Sequence, residues 1–495
     1  MGERIEAEVV IVGTGFSGLG MAIQLLKQGR RDFVILEKAA EVGGTWRDNT
    51  YPGCACDIQS HMYSFSYEQN SGWTRAFSPQ GEIWDYLRGV AKKYDLYPHI
   101  RFGQEMTGAR WDPDEYRWHV ATRGGDEVTG RYLVNGVGAL HLPQIPDLRG
   151  LENFRGETFH SATWNHDYDL RGKRVAVVGT GASAIQFIPR IAPEAAKLTV
   201  FQRTPPWVLP KPDHAMPEWA RTVFRKAPAL QRAYRDLLYW SLESRAVGYN
   251  NGGLKLMKLT QRLGKWNIER GVEDPALRER LVPDYVLGCK RVLLSNDYYP
   301  ALARDNVDVC TDGVAEVREH SVVDSAGVEH EVDAIIFGTG FHVTDAFEHL
   351  EIVGEGGRNL GKEWADEGMR THLGITVAGF PNLFFLLGPN TGLGHNSVVF
   401  MIESQARYVA GAIALVDQAG SAGLATRPEV QDRFNTEMQR KLEKGVWTQG
   451  GCRSWYLDAQ GVNRTLWPGF TWRYWLATRK VRPADFELIG TAGGK

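Results

Sequence analysis

One supersecondary pattern occurs twice in this chain, and the repeat constrains the fold more than any other feature. In the first copy, an apolar run at residues 9–12 leads into a turn that contains Gly13, Gly15 and Gly18. A helical stretch follows, and a second apolar run fills residues 33–36. Apolar runs without alternation are typical of strands that are covered on both faces, as in a parallel sheet.

The second copy has the same order of elements. Apolar runs at residues 175–178 and 198–201 flank a turn with Gly179 and Gly181 and a helical stretch after it. A strand, a glycine-rich turn and a helix in this order form the start of a dinucleotide-binding unit. The sequence therefore predicts an α/β protein with two Rossmann-like dinucleotide-binding domains.

The first glycine turn has the residue types that a pyrophosphate site needs. Gly13 permits the tight turn, Gly15 lets the backbone approach the phosphates, and Gly18 lets the helix pack close to the strand. The helix N-terminus supplies free N–H groups and a partial positive charge. Glu37 follows the second strand, where a carboxylate accepts hydrogen bonds from ribose hydroxyls and would repel a 2′-phosphate. This turn is predicted to bind FAD or NAD.

The second turn differs from the first in two respects. Its third glycine is replaced by Ala184, and no acid follows its second strand. Arg203 follows the second strand instead. Because an arginine can pair bidentately with the 2′-phosphate, this site is predicted to prefer NADPH. The alternative for the arginine is a solvated cation at a strand end. The predicted ligand residues are Gly179, Gly181, Ser183, Arg203 and Thr204.

Two dinucleotides in one chain indicate that one of them reduces the other. A hydride passes from a nicotinamide to a flavin, and the flavin carries out chemistry that side chains cannot perform. A dehydrogenase of the Rossmann type needs only one such fold. The repeat therefore favours a flavoprotein with FAD in the first site and NADPH in the second.

The remaining sequence suggests how the two domains are divided. Residues 209–284 show amphipathic helical patterns that are interrupted by prolines. This pattern indicates either a helical subdomain or helices that lie on a membrane surface. No complete third nucleotide-binding unit follows, so the end of the chain is expected to return to the first domain. The predicted segments are 1–140 (FAD domain, first part), 141–208 (NADPH domain, first part), 209–284 (helical insertion), 285–345 (NADPH domain, second part) and 346–495 (FAD domain, return).

Composition excludes several other classes. Lys and Arg total 57 against 59 Asp and Glu, a formal net charge of −2, which gives no support for a nucleic-acid partner. No secretory signal pattern begins the chain, and no apolar run reaches the roughly 18 residues of a membrane span. The five cysteines form no regular framework, so we expect neither a disulfide scaffold nor a metal site. We expect a reducing compartment. We expect a cytoplasmic protein, and a weak homo-oligomer is compatible with the sequence.

A stretch between the two repeats resembles a known family fingerprint. Phe154, Gly156, His160 and Trp164 match the pattern of type I Baeyer–Villiger monooxygenases, and Asn165 departs from it where the family has Pro or Asp. The related N- and S-oxidising flavin monooxygenases carry Tyr or Phe at the tryptophan position. The resemblance implies a class B flavoprotein monooxygenase, and a C-terminal Trp-Pro-Gly sequence is most similar to the 4-hydroxyacetophenone monooxygenase subgroup.

Other family motifs imply further site residues. The segment with Gly44 and Trp46 lines the flavin in the family and ends at an active-site aspartate, here Asp57. A Gly-Cys-Lys-Arg sequence places Lys290 on a cofactor phosphate and Arg291 as the catalytic arginine. A Ser-Trp pair close to the C-terminus resembles the stretch whose tryptophan approaches the nicotinamide ribose, here Trp455.

The resemblance also implies a reaction. An oxygen atom of O2 is inserted beside the carbonyl of a ketone or aldehyde through a flavin peroxide, and an ester or lactone is formed. Arg291 would stabilise negative charge and Asp57 would hold it, whereas the alternatives are a surface cation and an ordinary loop aspartate. His160 is either a hinge residue that forms a hydrogen bond as the nicotinamide moves or a structural histidine. The rival functions are N- or S-oxidation and a non-enzymatic NADPH sensor.

Overall fold

A computed structural model of the protein describes residues 3–250, 252–345 and 350–490. Within these residues the strands are β1 Arg4–Val12, β2 Phe33–Glu37, β3 Ile100–Phe102, β4 Met106–Asp112, β5 Arg117–Thr122, β6 Glu127–Asn135, β7 Glu157–His160, β8 Arg174–Val178, β9 Lys197–Phe201, β10 Val208–Leu209, β11 Leu293–Leu294, β12 Val307–Cys310, β13 Val314–Arg318, β14 Ser321–Asp324, β15 Glu329–Glu331, β16 Ala334–Phe337, β17 Glu351–Val353, β18 Leu383–Phe385, β19 Gly423–Thr426 and β20 Phe486–Ile489.

The same residues form helices of two kinds. Short 3-10 helices lie at Tyr97–His99, Leu151–Asn153, Ser161–Thr163, Glu355–Gly357 and Pro483–Asp485. The α-helices are α1 Phe16–Lys27, α2 Thr45–Asp48, α3 Gln80–Lys93, α4 Ala184–Ile191, α5 Glu218–Lys226, α6 Pro228–Ser244, α7 Ala246–Tyr249, α8 Leu254–Gly271, α9 Pro275–Leu281, α10 Tyr298–Leu302, α11 Leu360–Glu367, α12 Val398–Gln418, α13 Pro428–Leu442, α14 Val446–Gln449 and α15 Thr471–Thr478.

The first glycine-rich repeat lies in an eight-stranded mixed sheet. Its order is β17-β4-β5-β6-β1-β2-β3, and β18 pairs with β6 beside this path. The pairs β1–β2 and β1–β6 are parallel, as the continuous apolar runs predicted. Because β17 and β18 come from the last third of the chain, that part of the protein does rejoin the first sheet. Buried side chains of α1 and α12 cover one face of it.

The second repeat lies in a separate parallel sheet of five strands, in the order β12-β9-β8-β16-β7. Helix α4 covers one face of this sheet, and its residues Ile185 and Ile188 lie in the core with Val175 and Val177 of β8. The two sheets together confirm the predicted α/β class with two Rossmann-like units. They also fix where the functional turns lie, since both glycine turns follow the carboxyl ends of their strands.

Residues 331–337 have the apolar pattern of one continuous strand in sequence, but they form parts of two sheets. β15 ends at Glu331 in a three-stranded antiparallel sheet, and β16 begins at Ala334 in the parallel sheet. The carboxylate of Asp333 between them accepts hydrogen bonds at 2.8 Å from the backbone N–H and the guanidinium of Arg174. The chain therefore changes sheets at Asp333, because its side chain is bound to the neighbouring strand.

The segment from 209 to 284 is helical, in agreement with the amphipathic patterns in the sequence. Helices α5 to α9 lie within it, and the short strands β10 and β11 pair across its base. Helix α6 also contacts the first domain, where the carboxylate of Glu243 accepts hydrogen bonds from Asn396 and Thr471. The insertion therefore contacts the parts of the chain that form both sheets.

One helix among the described residues, α12, is long and apolar enough to cross a membrane by length and composition. It packs against α1 and α15, and Val399, Ile402 and Val409 are fully or almost fully buried. A central helix of a folded core has these same properties, so the composition of α12 is explained by its place in the fold.

Candidate active site

The first glycine turn has no space for side chains at the positions where the sequence predicts close packing. Gly13 has a φ of +96°, and a Cβ on Gly18 would lie 1.8 Å from the carbonyl oxygen of Gly13. Helix α1 begins after Gly15 without a side-chain cap, so its first N–H groups are available to an anion. The turn therefore fits the pyrophosphate of a dinucleotide, as FAD requires.

Glu37 lies at the end of β2 and faces this turn. Its carboxylate accepts hydrogen bonds from the backbone N–H of Thr14 at 3.0 Å and of Ala39 at 2.9 Å. It also forms an ion pair with Arg47 at 2.9 Å. These contacts hold the carboxylate beside the glycine turn, where a ribose is expected. Sequence reasoning missed Arg47, although it directly follows the Gly-Gly-Thr-Trp motif.

The Gly44–Trp46 segment lies against the same turn. Gly44 has a φ of +52°, and a Cβ placed on it would lie 3.1 Å from the Cα of Gly15. The indole N–H of Trp46 donates a hydrogen bond to the hydroxyl of Tyr63 at 3.1 Å. The structure therefore brings this predicted flavin-lining segment next to the first glycine turn.

The second turn repeats this geometry in the other sheet. Gly179 has a φ of +103°, and a Cβ on it would lie 2.6 Å from the carbonyl oxygen of Gly338. Helix α4 begins after Ser183, whose side chain makes no capping hydrogen bond. Ala184 packs against Gly338, since a Cβ on that glycine would lie 3.1 Å from the Ala184 Cβ. A second pyrophosphate fits here.

The residues predicted to bind cofactor phosphates come from two segments: Arg203 and Thr204 follow β9, and Lys290 precedes β11. Arg203 is exposed, and Thr204 accepts a hydrogen bond from the hydroxyl of Thr180 in the glycine turn. Burial lowers the pKa of Lys290, and the nearby positive charge of Arg203 lowers it further. Two cationic side chains close to each other are suited to an anionic group between them.

Replacing Arg203 by Ala is expected to raise the KM for NADPH about tenfold to hundredfold, because a hydrogen bond to a charged group contributes about 1.5–3 kcal/mol. The KM for NADH should change little, since NADH lacks the 2′-phosphate. Steady-state oxidation of both coenzymes gives the two constants, and Arg225→Ala, at an exposed arginine of the insertion, is the matched control. An equal rise for both coenzymes would contradict phosphate recognition.

Arg291 and Asp57 form an ion pair although 234 positions separate them in the chain. The Nε of Arg291 donates a hydrogen bond to Oδ2 of Asp57 at 3.0 Å, and Nη2 donates a second to the same oxygen. Asp57 raises the pKa of the Arg291 guanidinium above its usual value. The guanidinium is therefore permanently positive, and 38% of the Arg291 side chain is exposed to solvent.

Aromatic and cationic side chains that the sequence did not single out surround this ion pair. Tyr249 and Tyr456 are buried and within electrostatic reach of Arg291, and burial raises the pKa of Tyr249 to about 12. Lys211 donates a hydrogen bond from Nζ to the carbonyl of Cys56 at 3.1 Å. Only Tyr456 had a sequence signal, because it follows Trp455. That tryptophan is 44% exposed, and its ring centroid lies 4.4 Å from that of Tyr456.

A glutamine joins the two dinucleotide units next to this pair. The side-chain oxygen of Gln186, on α4, accepts hydrogen bonds from the hydroxyl of Tyr51 at 3.0 Å and the backbone of Ala55 at 3.2 Å. Its amide group donates to the carbonyl of Ala55 at 3.0 Å. The first helix turn of the second unit is therefore bound to the segment that carries Asp57. Nothing in the local sequence distinguishes Gln186 from any helical glutamine.

His160 lies at the carboxyl end of β7 and is almost fully buried. Its Nδ1 accepts a hydrogen bond from the backbone N–H of Ala162 at 3.1 Å, and its ring packs on Phe341. Burial lowers the pKa of His160, so the ring is neutral at neutral pH. The structure does not bring His160 into contact with Arg291 or Asp57. Trp164 packs between Phe159 and Phe187, in the core of the second unit.

A disulfide joins Cys289, two residues before Arg291, to Cys452, three residues before Trp455. The sequence predicted no disulfide scaffold, and this single bond was not foreseen because 163 positions separate the two cysteines. Cys54 and Cys56 are free and buried, and burial raises the pKa of Cys54 to about 11. The bond ties the loop of the predicted catalytic arginine to the C-terminal loop.

The purified protein, denatured without reductant, is expected to expose three thiols of its five cysteines. Cys452→Ser should lower the free energy of unfolding by about 2–4 kcal/mol, because the cross-link restricts the unfolded chain. Denaturant titrations with and without a dithiol measure this difference, and the dithiol should remove it. Five reactive thiols in the untreated protein would contradict the bond.

Comparisons with known proteins identify the family of this chain. A family model described as flavin-binding monooxygenase-like matches residues 6–237. A Baeyer-Villiger monooxygenase of Pseudomonas aeruginosa is 51% identical over 485 residues, which cover 98% of this chain and 92% of that protein.

Two solved structures are similar over nearly the whole chain. Cyclohexanone monooxygenase from Rhodococcus sp. Phi1 bound to NADP+ gives a TM-score of 0.89 at 28% identity and covers 99% of this chain and 100% of its own. OTEMO in complex with FAD and NADP gives a TM-score of 0.87 at 26% identity and covers 98% of this chain and 99% of its own. The chain therefore belongs to the flavin-binding Baeyer–Villiger monooxygenase family.

Proposed function

We propose that the Arg291–Asp57 ion pair is the element on which oxygen insertion depends in this FAD- and NADPH-dependent monooxygenase. The enzyme converts a ketone or aldehyde to an ester or lactone with one atom of O2. The observation that supports the role of the pair is its geometry: Asp57 fixes a permanently charged guanidinium that stays partly exposed, and Gln186 bonds the segment of Asp57 to the second dinucleotide unit.

The two cofactors are assigned to the two turns by the residues that surround them. In the first site, FAD is held by Gly13, Gly15, Gly18, Glu37, Gly44 and Trp46. In the second, NADPH is held by Gly179, Gly181, Ser183, Arg203, Thr204, Lys290 and Trp455. When bound, FAD that has been reduced by NADPH supplies the activation of O2. The domain boundaries 1–140, 141–208, 209–284, 285–345 and 346–495 are part of the same proposal.

Arg291 contributes a positive charge and free hydrogen-bond donors. Its Nε and Nη2 bind Asp57, and within the described residues its Nη1 donates no hydrogen bond. A guanidinium has five N–H donors and does not lose its proton in a protein. Nη1 can therefore donate to the carbonyl oxygen of the substrate as negative charge develops on it, which lowers the barrier to attack on the carbonyl carbon.

Asp57 acts on the orientation of Arg291 rather than on the substrate. A carboxylate that binds both Nε and Nη2 fixes the plane of the guanidinium, so that Nη1 points away from the carboxylate. Around the pair, buried aromatic side chains keep water away from the reacting atoms. These are Tyr249, Trp447 and Tyr456, which share one hydrophobic cluster with Leu466 and Cys289.

His160 is assigned a positioning role. The ring is buried and neutral and does not contact the ion pair. It is therefore suited to hold the end of β7 against Phe341, not to exchange protons with a substrate. The substrate is proposed to be a small ketone or aldehyde, and the compartment is proposed to be the cytoplasm.

The reaction is tested by product analysis. The enzyme is reduced anaerobically with NADPH and then mixed with O2 and a panel of cyclic, linear and aryl ketones, with a thioether and a tertiary amine as rival substrates. Mass spectrometry is expected to show esters or lactones from at least one class of ketone. Exclusive formation of sulfoxide or N-oxide would contradict the proposed reaction while leaving the cofactor assignment intact.

A further inference from the structure

The exposed apolar side chains of this protein are concentrated in the helical insertion. Among the described residues, 14 large hydrophobic side chains are exposed, and ten of them lie between positions 219 and 266. We call these ten residues the outward stripe: Trp219, Val223, Leu230, Leu237, Trp240, Val247, Leu256, Leu259, Leu263 and Trp266. Single exposed hydrophobic residues are normal in soluble proteins, whereas neighbouring exposed hydrophobic residues on one helix face form the kind of patch that marks an interaction surface.

Helix α6 has its polar and apolar faces reversed relative to a normal surface helix. Its buried residues include Gln231, Arg235 and Glu243, whereas Leu237 is 66% exposed and Trp240 is 60% exposed. The buried polar groups are satisfied by the first domain: Gln231 donates to the carbonyl of Asn70 at 2.8 Å, and Arg235 to the hydroxyl of Ser64 at 3.2 Å. The helix is therefore anchored through its polar side and presents its apolar side outward.

Helix α8 carries a second part of the stripe. Leu256, Leu259, Leu263 and Trp266 are spaced by three, four and three positions, which places them on one face of the helix. The opposite face is packed, because a Cβ on Gly264 would lie 2.6 Å from the ring of Trp207. This apolar face is consequently exposed in the folded protein and does not result from a loosely packed helix.

Positive charge accompanies the apolar residues. Residues 218–271 contain eleven Lys and Arg against four Asp and Glu, a formal charge of +7, while the whole chain has a formal charge of −2. On α8, four exposed basic residues lie beside the leucines: Lys255, Lys258, Arg262 and Lys265. Basic residues next to a stripe of Leu and Trp are typical of helices that lie in the interface of a lipid bilayer.

We propose that the outward stripe binds the surface of a bilayer that contains anionic lipids. Such a surface buries the leucine and tryptophan side chains at the boundary of the acyl chains and pairs the basic residues with lipid phosphates. A second copy of the chain fits less well, since it would bring two surfaces of charge +7 together. The proposal is independent of the reaction proposed above.

Sedimentation of the FAD-loaded enzyme with lipid vesicles tests the proposal. Vesicles of phosphatidylcholine alone are compared with vesicles of phosphatidylcholine and phosphatidylglycerol. Binding is expected only to the anionic vesicles and should weaken as salt is added, because salt screens the attraction between the basic side chains and the lipid phosphates. The double variant Lys258→Glu and Arg262→Glu should lower the vesicle partition coefficient by about tenfold or more.

A second variant separates the apolar contribution from charge. Leu259→Ser/Leu263→Ser should also weaken binding to anionic vesicles, while ketone oxidation in solution stays unchanged. The controls are Lys480→Glu for charge and Val328→Ser for apolar surface, both at exposed residues outside the stripe; neither should affect binding. Equal sedimentation with both kinds of vesicle, or a dimer in light scattering that the leucine variant dissociates, would overturn the proposal.

Discussion

Arg291→Ala is expected to lower the rate of ester formation by about 10²–10³-fold while reduction of the bound flavin by NADPH continues. Loss of one preorganised donor to a developing oxyanion typically costs this much, about 3–4 kcal/mol. Flavin reduction should be retained because the residues assigned to both dinucleotide turns are unchanged. Stopped-flow absorbance measures the reduction, and product analysis under O2 measures the ester.

Two further variants at this site separate charge from position. Arg291→Lys keeps the positive charge but cannot bind Asp57 through two N–H groups and still donate a third, so it should restore little of the activity. Asp57→Asn should lower ester formation less than Arg291→Ala, because the guanidinium remains but is held less firmly. Wild-type ester formation by Arg291→Ala would show that the ion pair is only structural.

Gly15→Ala should yield a folded protein that has lost most of its FAD. The only atom within 4 Å of a Cβ at this position is the Cα of Gly44, at 3.8 Å, so the chain itself tolerates the methyl group. A pyrophosphate that approaches the backbone does not, and we expect an affinity for FAD about tenfold to hundredfold lower, the usual cost of forced overpacking. The ratio of flavin to protein absorbance after dialysis measures this loss.

Gly181→Ala is the matched variant in the second turn, where a Cβ would meet only the carbonyl oxygen of Gly338 at 3.7 Å. It should retain FAD fully and raise the KM for NADPH by a similar factor. Circular dichroism of both variants checks that they fold. If both lost flavin equally, or if Gly15→Ala kept its flavin, the assignment of one cofactor to each turn would be wrong.

The parts of the fold that could be predicted from sequence are those that local chemistry specifies. A turn such as that of Gly13 needs a left-handed backbone and close contacts, which glycine alone permits. The turn can therefore be predicted from a few neighbouring residues. The same holds for the parallel strands, whose apolar runs directly reflect burial on both faces. The prediction of the family was confirmed for the same reason, since its motifs are local, whereas the subgroup stays a prediction.

The parts that could not be predicted depend on contacts between distant segments. The Asp57–Arg291 pair was anticipated only through a family resemblance, because 234 positions separate the two residues. Gln186 and Lys211 carry no signal of their own, and the Cys289–Cys452 bond was missed for the same reason. At Asp333, a hydrogen bond to Arg174 outweighed the apolar pattern that predicted one continuous strand.

Oxygenation of a ketone under isotopically labelled O2 tests the central claim most directly. Wild-type enzyme with FAD and NADPH should incorporate one labelled oxygen atom into each ester molecule, while Arg291→Ala should consume NADPH and yield almost no labelled ester. If the wild-type enzyme oxidised NADPH without labelling any product, or if Arg291→Ala labelled the ester as efficiently as wild type, the account would be contradicted.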